Sequence, residues 1–72
     1  MNMSELEILL KLKSGDKFTG YNGAFTGIVT PFSFHGDDMI VECDKDGCVW
    51  KEDWDVLTTV WGFENGDYKF ID

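Results

Sequence analysis

Seventy-two residues leave room for one domain, since a chain this short buries only about 60% of its unfolded surface around a single core. Apolar residues at 43% and aromatics at 15% exclude a disordered segment despite the net charge of −8. Fourteen carboxylates face six lysines and no arginine, which argues against a binder of nucleic acid or of anionic membranes, because both need clustered cationic side chains.

We therefore expect a single small acidic domain over residues 1–72 that folds without a metal or partner. No secretory signal is read at the N-terminus, where Glu5 and Glu7 precede the first lysine and the apolar run from Ile8 to Leu10 is short. No stretch is long enough to cross a membrane. Cys43 and Cys48 are too few for a disulfide scaffold, and with His35 they are too few for a structural zinc site. A reducing, cytoplasmic setting follows, in which two reduced core thiols are the favoured reading and a cross-hairpin Cys43–Cys48 disulfide the alternative.

Residues 5–13 carry two patterns. With period two, Leu6, Ile8, Leu10 and Leu12 alternate with mostly charged residues, as in a half-buried strand. With helical period, Ser4 and Glu7 form a capping box, acids open the segment, lysines close it and Gly15 ends it. The helix would spread its apolar residues over roughly 200°, wider than a surface stripe of about 100°, so we read a strand, with a short helix as the alternative.

After Ser14-Gly15 the chain returns as 16–21, and Asn22-Gly23 signals a hairpin. A longer strand is expected over 24–34, with a bend at Pro31, whose nitrogen cannot donate to a ladder. His35-Gly36-Asp37 turns the chain into 38–43, and a four-residue turn at 44–47 returns it as 48–54. That loop length sets Cys43 opposite Cys48 and Val41 opposite Trp50. It places Met39, Val41, Cys43, Cys48 and Trp50 on a core face, with Asp38, Ile40, Glu42, Asp44, Val49, Lys51 and Asp53 behind. Residues 56–64 read as another extended piece, and Asn65-Gly66 as a second hairpin turn into 67–71. Five to seven short antiparallel strands in so small a chain must curl into a small barrel or a strongly bent sheet.

The stretch Leu10-Lys11-Leu12-Lys13-Ser14-Gly15-Asp16-Lys17-Phe18-Thr19-Gly20 resembles the first motif of the Sm-like family, and Asp38-Met39-Ile40-Val41 is similar to that family's next strand. The resemblance covers about a fifth of the chain and implies an SH3-like small barrel. The family's second motif, with its Arg-Gly pair, has no counterpart here.

No nucleophile, base and orienting group can be assembled around the lone His35, so no enzyme is expected. Glu42, Asp44, Asp46, Gly47, Val49 and Asp53 match several positions of a calcium loop, but their flanks are strand-like and an aspartate-rich turn accounts for the same letters. No metal or cofactor is expected. Trp50, Trp54 and Trp61 with Tyr21 can line an aromatic cage for a methylated lysine, although tryptophans in so small a domain also serve as core. Trp54, between Asp53 and Asp55, is read as a rim residue and interface anchor.

The strongest feature is charge placement. Between residues 37 and 55 eight carboxylates oppose Lys45 and Lys51, a net of −6 that leaves −2 for the rest. Same-face strand residues repeat about every 6.7 Å and strands lie about 4.8 Å apart, a loose match to a phosphate backbone. The expectation is a non-enzymatic inhibitor that offers Asp37, Asp38, Glu42, Asp44, Asp46, Asp53, Trp54 and Asp55 to a basic protein surface, such as that of a nucleic-acid-binding protein or nuclease complex. In size and acidity the chain resembles phage-encoded anti-defence proteins that block host nucleases or CRISPR complexes, which would place it in the host cytoplasm. The alternatives are a structural or self-assembling small barrel, for instance of a phage particle, and a peptide or methyl-lysine binding module. No direct nucleic-acid or membrane contact is expected.

Overall fold

The computed structural model describes residues 3–71. Helix α1 (Glu5–Lys13) leads into strands β1 (Phe18–Gly20), β2 (Phe25–Val29), β3 (Asp38–Lys45) and β4 (Cys48–Asp55), followed by helix α2 (Val56–Asn65) and strand β5 (Tyr68–Phe70). The strands form one antiparallel sheet in the order β4-β3-β2-β1-β5. Flat, this sheet would hold β4 and β5 four strand spacings apart, about 19 Å. Yet the rings of Trp54 on β4 and Tyr68 on β5 lie 5.3 Å apart. The sheet is therefore curled until its two edges converge, a barrel with one unzipped seam.

The mainly β fold matches expectation, but two segments differ in kind. Residues 5–13 are helical because the capping box closes in full: the Glu7 amide donates to Ser4 Oγ at 3.2 Å and the Ser4 amide donates to Glu7 Oε1 at 3.1 Å. The wide apolar arc is resolved by burying only Ile8 and Leu12 and leaving Leu6 and Leu10 in solvent. The Sm-like stretch thus begins on a helix and reaches its strand only at Phe18.

The second difference is α2, whose Val, Leu, Thr, Thr, Val opening reads as strand by propensity. Asp55 overrides it as N-cap, accepting from the Thr58 amide at 2.9 Å and the Thr58 hydroxyl at 2.8 Å. Gly66, with φ 86°, ends the helix by donating to the Phe63 carbonyl, while the Asp67 amide donates to that of Gly62. Asn65-Gly66 is thus a helix stop rather than a hairpin turn.

The two Thr58 donors hold the Asp55 carboxyl below its ordinary 3.8, the backbone amide contributing most. The cap therefore stabilises the fold in full above pH 3.8 and loses this contribution as pH falls through the lower folded value. Asp55→Ala is expected to lower the melting temperature at pH 7, and Asp55→Asn to leave it nearly unchanged there while flattening its fall below pH 4. Thermal melts across that range check this; identical acid profiles for the wild type and the Asn variant would contradict it.

The β3–β4 hairpin also differs in its turn. Asp46 and Gly47, with φ 52° and 86°, make a two-residue turn, so Cys43 faces Trp50 and Cys48 faces Lys45. This register is two residues from the expected one, which keeps every side chain on its assigned face. The thiols are separated: Cys43 is buried and pushed up to about 11, by desolvation first, whereas Cys48 is exposed. The bend at Pro31 is a complete turn, closed by the Ser33 amide on the Thr30 carbonyl, and β2 has already ended at Val29.

Phe18, Val29, Met39, Val41 and Cys43 point to the inner face and meet Ile8 and Leu12 of α1 and Val60 of α2. Phe18 is the hub, 0% exposed, with five aromatic rings around it. Both helices lie on this side, so the opposite face of β3 and β4 stays open.

Candidate functional site

On the open face the register aligns Asp38 with Asp55, Ile40 with Asp53, Glu42 with Lys51 and Asp44 with Val49. Four of the expected site residues, Asp38, Glu42, Asp44 and Asp53, therefore share one face of a paired ribbon, on which Lys51 is the one lysine, while Asp55, at the end of β4, turns its carboxylate to Thr58 of α2. Two of these carboxylates have backbone duties: Asp44 accepts from the Gly47 amide at 3.1 Å, and Asp55 caps α2. Asp46 stands at the hairpin tip, and Asp37 precedes β3, where its carbonyl accepts from the Val56 amide at 2.8 Å.

His35 crosses to this face. Its Nδ1 lies 2.7 Å from the Ser33 carbonyl and its Nε2 3.3 Å from Asp53 Oδ1. The Ser33 carbonyl first, then the charges of Asp53 and Asp38, favour the imidazolium and raise its pKa above 6.5. His35, Asp38 and Asp53 are also the one group among the described residues whose donor atoms lie close enough to share a metal ion. The residues spaced like a calcium loop, 42–53, are instead an extended hairpin whose carboxylates are divided between the two strand faces and the tip.

Trp54 is not part of that face. It projects inward with Glu52, half-buried, its ring 5.8 Å from Phe18 and 5.8 Å from Phe25. What it anchors is a second feature. Where β4 and β5 converge without pairing, a cavity of about 370 Å³ opens between Trp50, Glu52 and Trp54 of β4, Tyr68 of β5, and Tyr21 and Phe25 around the β1–β2 turn. Comparison with known protein families, with curated proteins and with solved structures finds no match. The chemistry must be read from these two surfaces alone.

At the seam, Glu52 is held by both indoles: Trp50 Nε1–H donates to one carboxylate oxygen at 2.6 Å and Trp54 Nε1–H to the other at 2.8 Å. The Trp50 bond first and the Trp54 bond second keep the carboxyl below the usual carboxylate range, so it stands as a fixed anion between two tryptophans. Tyr68 packs at 5.3 Å from Trp54 and 5.5 Å from Tyr21, and the two tyrosine hydroxyls are 3.3 Å apart. Burial, then the Tyr21 hydroxyl, pushes the Tyr68 phenol up, so it is neutral at physiological pH. The cavity has aromatic walls, two acidic residues, Glu52 and Asp55, and no lysine among its described lining residues.

Of the expected cage, Tyr21, Trp50 and Trp54 are brought together, and Trp61 is left exposed on α2. Sequence reasoning missed Tyr68, Phe25 and Glu52. Glu52 and Phe25 were within reach of strand parity, which puts Glu52 beside Trp50 and Trp54 and Phe25 on the inner face through its pairing with Gly20. Tyr68 needed the sheet's closure.

No helix of the described residues is long and apolar enough to cross a membrane.

Proposed function

We propose that this protein is a non-enzymatic acidic binder that lays the outer face of β3 and β4 on the basic, nucleic-acid-binding surface of another protein, as an inhibitor of the phage anti-defence type acting in the host cytoplasm. The observation that carries this reading is the shared face of Asp38, Glu42, Asp44 and Asp53 with one lysine, Lys51, among them. A paired ribbon fixes the spacing of those charges, and crowding of like charges is relieved when a cationic surface covers them. Capture from host lysate at about 50 mM salt should be lost at about 500 mM, because such a contact is screened over that range. Asp38→Asn, Glu42→Gln and Asp53→Asn together should abolish capture with the fold intact, since none of the three carboxylates caps a helix or closes a turn. A partner retained equally at both salt concentrations would overturn the reading.

Self-assembly is the second reading, and one observation favours it: β4, eight residues long, and β5 are the two ends of the sheet and do not pair with each other. A β4 edge meeting the β5 edge of a second copy is a head-to-tail contact that closes a ring or grows a filament. Light scattering separates the two readings, since a monomer removes this one. A local resemblance to Sm-like small barrels, over residues 10–20 and 38–41, supports the small-barrel architecture of either reading.

A further inference from the structure

We propose that the seam cavity binds a methylated ammonium group, carried on a lysine side chain of a basic partner. This goes beyond the acidic face and does not depend on it, because the cavity opens on the opposite side of β4.

Three features of the cavity point to that chemistry. Its walls include the rings of Trp50, Trp54, Tyr68 and Tyr21, a type of side chain whose π-face attracts cations held within about 6 Å of the centroid. Glu52 supplies a full negative charge at a fixed place, and Asp55 is also on the lining. The volume, about 370 Å³, is at the small end for ligand sites and suits a side-chain head group. The chain's own ring-stacked lysines lie elsewhere, Lys11 over Phe70 and Lys13 over Phe34.

The hydrogen bonds select among cations. Each Glu52 oxygen already accepts an indole N–H, so the carboxylate offers charge more readily than fresh acceptor sites. An unmodified ammonium, strongly hydrated with three donors to satisfy, is poorly served; a guanidinium would need a free two-pronged acceptor. A methylated ammonium needs few or no acceptors and sheds its water at low cost. Charge also selects the carrier. Phosphocholine and betaine bear an anion beside the quaternary nitrogen, and that anion would meet Glu52 and Asp55 with no lining lysine to receive it. A lysine side chain brings no such anion, and a basic peptide adds attraction to a chain of net charge −8.

The test titrates the full chain with a short basic peptide bearing one trimethyllysine, followed by the indole N–H signals of the three tryptophans. The Trp50 and Trp54 signals should move while Trp61, outside the cavity, stays fixed. Affinity should exceed that for the unmodified peptide by about tenfold. Trp50→Ala, at a position 38% exposed and tolerant of truncation, and Glu52→Gln should each weaken binding about three- to tenfold. The triple acidic-face variant should bind both peptides somewhat more weakly but keep the preference for the trimethylated one, which keeps failure of either proposal distinguishable from failure of the other. The inference is overturned if the unmodified lysine, an arginine or an uncharged tert-butyl isostere binds equally well. It is also overturned if phosphocholine competes at similar concentration, or if the Trp61 signal moves with the others.

Discussion

Phe18→Ala should remove half or more of the chain's stability at 25 °C. Deleting a buried phenyl costs about 3–5 kcal/mol when the void cannot collapse, and here it cannot: Phe25, Trp54, Phe63, Tyr68 and Phe70 all lean on that ring, with centroids 5.2 to 6.5 Å away. Rings from β2, β4, α2 and β5 would lose their common neighbour at once. At about 0.05–0.15 kcal/mol per residue a chain of this length has about 4–11 kcal/mol in total, and small domains lie low in that range. Urea unfolding should show the midpoint reduced by half or more, with loss of the near-ultraviolet signal of the packed tryptophan. Phe18→Leu, which keeps most of the volume, should retain the fold with a smaller loss. A Phe18→Ala midpoint close to wild type would mean that Phe18 is not the hub of the core.

The second large effect runs against helix propensity. Gly62 lies inside α2, where alanine is ordinarily favoured by about 1 kcal/mol. A Cβ there would land on Cε2 and Cδ2 of the Tyr68 ring. That ring is packed against Trp54 at 5.3 Å, Phe63 at 5.6 Å and Phe18 at 5.9 Å, and can escape only into the seam cavity, at the cost of those contacts. Gly62→Ala should therefore destabilise by about 1–3 kcal/mol, the usual cost of overpacking. In a Tyr68→Ala background the same change should turn neutral or stabilising, because the collision has gone and the propensity gain remains. Urea unfolding of the four proteins gives the coupling; additive effects would show that Gly62 and Tyr68 do not meet.

The sequence was most informative where one periodicity governed a face. Alternation keeps Met39, Val41 and Cys43 on the inner side and Asp38, Ile40, Glu42, Asp44, Val49, Lys51 and Asp53 on the outer side even though the loop length was misjudged, because a slip of two residues returns each side chain to its own side. Cys48, read as core, is exposed, and Trp54, read as a rim residue, turns inward. The turn itself was visible in Asp46-Gly47, a dipeptide suited to two left-handed residues in succession. The helices were obscured for opposite reasons. In α1 the caps were correctly read but set below an apolar arc too wide for a surface helix, an objection that disappears once Leu6 and Leu10 are allowed to stay in solvent. In α2 β-branched residues masked a cap carried by Asp55, and Gly66 was taken for a turn between strands when it ends a helix. The acidic face was legible because it belongs to a single hairpin. The seam cavity was only half legible, since Tyr68 reaches Trp54 from the far end of the sheet and local pattern carries no information about that closure.

The alternation of β4 has one further result. Glu52 and Trp54 leave the strand on one side and Asp53 on the other, so the anionic ribbon and the aromatic pocket lie back to back in a body only 18 Å through its thinnest direction. Were both proposed contacts made, the protein would stand between two different molecules as a thin spacer.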